Sequence, residues 1–166
     1  MLIFDLTDVP NVLGHCLRRT AVILTLSIPS TAAAQAGPQF PVNLGSAPVI
    51  GGMTVQCYGV PAVVTPINDI AMARPGAIIL NPTFFQLPGK LQLFIYAHEC
   101  AHHVPQIAGN EGMADCWAIK VGRVQSWFVQ EDIAYLQQYF GNSPGDWTHA
   151  PGPVRVQTMI NCFLTP

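Results

Sequence analysis

The segment Tyr96-Ala97-His98-Glu99-Cys100-Ala101-His102-His103 carries two histidines four residues apart, with a glutamate directly after the first. This is the H-E-x-x-H pattern. Each helical residue turns by about 100°, so His98 and His102 fall about 40° apart on one face of a helix. One metal ion can then reach both imidazoles at roughly 2.0–2.1 Å. Glu99 sits to the side, badly placed to share the metal but able to reach a water held there. The residues before the motif, Leu91, Leu93, Phe94, Ile95, Tyr96 and Ala97, are apolar. A buried helix with two histidines and a glutamate is costly unless those groups find partners.

Outward from this motif, the sequence predicts a helix over residues 90–104, bounded by Pro88-Gly89 and Pro105. Asn110 is a good N-cap for a second helix over 111–129. Its apolar positions Met113, Trp117, Val121, Val124 and Phe128 form a stripe at spacings of three and four. Glu131-Asp132 opens a third helix to Phe140, and Pro153 leads into a last helix over 154–163. Upstream, β-branched runs at 53–58 and 60–65 predict two short strands or a hairpin. Ala77–Leu80 reads as a further strand, stopped by Asn81-Pro82. Pro75-Gly76 marks a turn, residues 66–74 read as a short helix or loop, and 83–87 as one helical turn. The sum is an α+β domain, with a small β-sheet or hairpin packed on a metal-binding helix pair and C-terminal helices after it. The strand Ala77–Leu80 is expected to offer its backbone to an extended peptide.

The 166 residues are 50% hydrophobic and 10% charged, with a formal net charge of −2. That apolar share can build one core. No basic patch argues for nucleic acid or an anionic membrane. Arg18-Arg19 precede the apolar run Ala21-Val22-Ile23-Leu24-Thr25-Leu26-Ser27-Ile28, and Ala32-Ala33-Ala34-Gln35-Ala36 follows. A basic stretch, an apolar run and an A-x-A site predict a secretory signal over 1–36, cleaved after Ala36 or, as second choice, after Ala34. The apolar run is too short to remain as a stable membrane anchor. Residues 37–52 then read as an extended Pro- and Gly-rich arm, and 53–166 as the folded domain. Cys57, Cys100, Cys116 and Cys162 remain after cleavage. An even number in an exported, periplasmic or extracellular chain predicts two disulfides, in any of three connectivities.

A catalytic zinc takes three protein ligands and a water. The H-E-x-x-H-x-x-G-x-x-H continuation is absent, because Pro105 and Ala108 stand where it needs Gly and His. Glu111, opening the second helix, is the candidate third ligand, and the intervening eight residues can span up to about 26 Å. Asp115, one turn on, can accept the free N–H of a liganding histidine.

His98-Glu99-Cys100-Ala101-His102 followed by Glu111-x-x-Ala114-Asp115 resembles the gluzincin metallopeptidases. The doubled His102-His103 and the run Ala114-Asp115-Cys116-Trp117-Ala118 are similar to small bacterial neutral zinc metallopeptidases. The resemblance covers roughly residues 80–123. It implies a zincin-like minimal domain, Zn2+ on His98, His102 and Glu111, and Glu99 as the base of peptide-bond hydrolysis. The tail from Trp147 to Arg155 is similar to a stretch after the metal helices of related peptidases. It makes His149 a catalytic candidate and Arg155 an oxyanion candidate. The implied partner is a peptide or protein substrate. The competing expectation is a zinc-stabilised binding or structural module, in which a fourth protein ligand replaces the water.

Overall fold

The computed structural model describes residues 37 and 39–165. The signal segment expected over 1–36 lies outside the described residues. The chain first forms strands β1 (Val42–Gly45), β2 (Val49–Ile50), β3 (Met53–Thr54), β4 (Ala62–Val64), β5 (Ala71–Arg74) and β6 (Ala77–Leu80). A 3-10 turn at Pro82–Gln86 follows, then helices α1 (Gly89–Ala101), α2 (Glu111–Val124), α3 (Gln130–Phe140) and α4 (Gly152–Leu164). The class is α+β.

Four strands form a mixed sheet in the order β1-β4-β6-β5. The β4–β6 pair is parallel and the outer pairs are antiparallel. Ala62, Val64, Ile78 and Leu80 of the two inner strands are buried, which is why these strands read as continuous apolar runs. Pro75-Gly76 turns β5 into β6, and Gly76 takes φ +77°, a conformation that costs glycine little.

The runs at 53–58 and 60–65 do not pair with each other. Instead β3 turns back on β2 through Gly51-Gly52, both at positive φ, while β4 pairs with β1 and β6. The expected arm at 37–52 thus supplies β1 and β2, and the segment 66–74 contains β5. Strand β6 is paired on both sides, so it cannot offer its backbone to a peptide. The edge strands of this sheet are β1 and β5, and α1 packs against β5.

Helix α1 buries Leu91, Phe94, Tyr96 and Ala97 against the sheet and α2. Helix α2 is shorter than its stripe predicted. Ser126 adopts φ +59°, and the N–H groups of Trp127 and Phe128 return to the Gly122 carbonyl. The Phe128 ring then covers Gly122, where a Cβ would fall 2.0 Å from a ring carbon. The buried face is Ala114, Asp115, Ala118, Ile119 and Gly122, whereas Met113 and Val124 are exposed. Small residues on that face let the α2 backbone approach closely and carry Asp115 inside. Helix α4 packs on α2 and α3.

Two disulfides brace these helices. Cys57–Cys100 ties the chain after β3 to α1, and Cys116–Cys162 ties α2 to α4. They mark an oxidising compartment. Among the described residues no helix is long and apolar enough to cross a membrane. Replacing Cys116 and Cys162 by serine opens a link across a sequence separation of 46. The unfolding free energy should fall by about 4 kcal/mol, read as a lower urea midpoint; an unchanged midpoint contradicts the bracing role.

Candidate metal centre

The last turn of α1 presents His98, and His102 caps the same helix while keeping αR geometry at φ −65° and ψ −15°. The chain then folds back tightly. Ile107 and Ala108 donate to the Val104 carbonyl, and Ile107 buries itself beside Ala101 and Ala114. Asn110 caps α2 by accepting from the Met113 N–H, which sets Glu111 at the first helical position, facing α1. The α3–α4 loop brings His149 from the far end of the chain.

Four side-chain tips meet. Glu111 Oε2 lies 2.9 Å from His98 Nε2, 3.5 Å from His102 Nε2 and 3.0 Å from His149 Nε2. His98 Nε2 and His102 Nε2 are 3.3 Å apart. The ligand atoms of His98, Glu111 and His149 all lie within 4.8 Å of one another. Four bonds of zinc length at tetrahedral angles require ligand atoms about 3.3 Å apart, so these spacings fit a metal. Two or three nitrogens with one carboxylate suit a borderline divalent cation. The group can therefore hold a metal ion.

Behind His98 stands a buried charge ladder. His98 is 3% exposed, and its Nδ1–H donates to Asp115 Oδ1 at 2.9 Å. Asp115, 1% exposed, accepts two bonds from Arg155, at 2.8 Å from Nε and 2.7 Å from the terminal nitrogen. The Arg155 guanidinium also lies over the Phe140 ring, 4.9 Å from its centroid. Asp115 thus has the place behind the ligand expected for it. Arg155 is bound to that carboxylate, one residue removed from the cluster.

Glu99 turns away from the cluster tips and accepts from the Ala73 N–H of β5 at 2.7 Å. It borders two cavities, of about 560 and about 200 Å³. Burial raises its pKa, more than the neighbouring His98 charge and the Ala73 hydrogen bond lower it. For His98, burial alone lowers the pKa, but the hydrogen bonds to Asp115 and Glu111 outweigh it and lift the value to about 9. Glu111 is held below the usual carboxylate range by its bond to His98. Burial pushes Asp115 up, and its bonds to Arg155 and His98 pull it below its ordinary value. His103 lines the larger cavity, with its Nε2 buried and no hydrogen-bond partner among the described residues.

Two contributors escape a reading of motifs. One is the backbone of Ala73, which has no side-chain signal. The other is Asp146, whose carboxylate accepts from the Thr148 hydroxyl and N–H and the His149 N–H, and takes His149 Nδ1 at 3.1 Å. Its spacing, Asp-x-x-His in a Gly/Pro-rich loop, was the available clue. No family model, curated protein or solved structure matches the chain.

Without metal, a proton on His98 takes the cation's place. The folded pKa of about 9 exceeds the ordinary 6.5, so this proton stabilises the fold fully below pH 6.5 and is lost as pH rises through 9. Chelator-treated protein should be less stable at pH 10 than at pH 6, by at most about 3 kcal/mol from this group. Zinc-saturated protein should lose that trend, because metal and proton compete for Nε2. Equal slopes with and without zinc would contradict a shared site.

Proposed function

We propose that the chain is an exported zinc metallopeptidase of the gluzincin type, with His98, His102 and Glu111 as ligands and Glu99 as general base. The observation that carries this is Glu99 itself. A site that only braced the fold has no use for a partly buried carboxylate one residue from His98, held by a separate strand and lining two cavities. Zinc, when bound, supplies Lewis acidity that polarises a carbonyl and acidifies water. Glu99, with its pKa raised by burial, takes a proton from the attacking water and returns it to the leaving nitrogen. His149, held by Asp146, serves in this reading as an N–H donor to the oxyanion. Arg155 acts as a positioning residue, fixing the His98 ring through Asp115 rather than touching the oxyanion. A peptide substrate is supported by β5, an edge strand whose Ala73 N–H points at the site rather than at β6. One observation favours the non-catalytic alternative: the His149 tip lies among the ligand atoms.

Glu99→Gln should retain stoichiometric zinc and lose about 10²–10⁴-fold in peptide cleavage, scored by mass spectrometry on a mixed peptide library. Cleavage at the wild-type rate removes Glu99 from the chemistry.

A further inference from the structure

We infer that His149 is a protein ligand in the resting state, so that the strap of residues 141–151 closes the metal site until substrate enters. This rests on the metal-centre reading above and adds a latent state to it.

Position is the first reason. His149 Nε2 is 3.0 Å from Glu111 Oε2, close to the edge of a zinc tetrahedron, about 3.3 Å. It stands at a vertex of the ligand set. A group serving only an oxyanion would stand a hydrogen bond further out. The second reason is the support behind the ring. Liganding histidines usually give their other ring N–H to a carboxylate or carbonyl. His98 does so to Asp115 through Nδ1, and His149 Nδ1 is shared between Thr148 Oγ1 at 2.9 Å and Asp146 Oδ2 at 3.1 Å. Both rings therefore turn Nε2 to the same point.

The strap is built to move as one piece. Asp146 gathers the N–H groups of Thr148 and His149, and its own N–H donates to the His149 carbonyl. Gly145, at φ +78°, lets the chain double back: a Cβ there would fall 2.7 Å from the His149 carbonyl oxygen. The ends are fixed where Ser143 meets the Phe140 carbonyl and Gly152 meets the Ser143 carbonyl. Among the described residues, the hydrogen bonds and ion pairs of Asp146, Thr148 and His149 stay within the strap, His149 to Glu111 excepted. The outer face carries Trp147, 96% exposed. Trp147, Thr148 and His149 wall the larger cavity, so a peptide filling it presses on the strap. Displacing His149 frees one ligand position, and its freed Nε2 takes up a proton from water before it can donate to the reacting carbonyl. No bond other than the metal–imidazole contact is broken.

The test is X-ray absorption at the zinc edge on the full zinc-loaded chain and on His149→Ala, with azide titration of the cobalt-substituted proteins. Circular dichroism of the metal-free forms checks that the variant folds. The expected result is one imidazole fewer in the variant, zinc held about 10–100-fold more weakly, and azide bound by the variant but not by the wild type. An unchanged imidazole count, with azide bound equally by both, overturns the proposal. The two claims fail separately. Loss of an imidazole in a chain that cleaves no peptide supports the closed site and removes the peptidase reading. An unchanged count in a chain that cleaves peptides removes the closed site alone.

Discussion

His98 is buried with a carboxylate on each ring nitrogen, Asp115 at Nδ1 and Glu111 at Nε2, both at 2.9 Å. An arrangement of this kind costs folding energy unless the charges are matched. Arg155 matches Asp115. Glu111 and the adjacent Glu99 remain, and a cation or proton at His98 Nε2 answers them. Much of the fold serves this one contact. The small residues of α2 bring Asp115 within reach of α1, and α4 supplies Arg155. The two disulfides fix α1 and α2, the helices that carry His98, Glu111 and Asp115.

The sheet contributes differently. Its inner strands are ordinary core, but β5 at the edge meets α1 and gives the Ala73 N–H to Glu99. Glu99 is thereby held by an edge strand, and His98 and Glu111 by the helices. A small domain can separate these tasks because each needs only one side chain or one backbone group from its element.

Helix α1 was legible because its pattern is local: His98, Glu99 and His102 share one helix face and its flank at fixed spacing. Glu111 and Asp115 were legible for the same reason, given a cap at Asn110. Strand pairing was not. The runs at 53–58 and 60–65 have strand composition, yet their partners are set by Gly51-Gly52 and by long-range pairing with β1 and β6, which no local pattern encodes. The α2 stripe misleads because apolar size does not mark burial there: Met113 and Val124 are exposed. The face that packs is made of two alanines, a glycine, Ile119 and an aspartate paired with a distant arginine. Arg155 stands out through the resemblance of the tail at 147–155, but its partner Asp115 lies 40 residues away, a distance across which sequence spacing says nothing.

The central claim is that a metal sits between His98 Nε2 and Glu111 Oε2, with a further histidine Nε2 in contact. Anomalous diffraction at the zinc edge, from crystals grown with zinc, tests it directly. The account predicts one strong peak within about 2.0–2.2 Å of both atoms. A zinc-replete crystal with no peak there, or with its peak on other side chains, contradicts it.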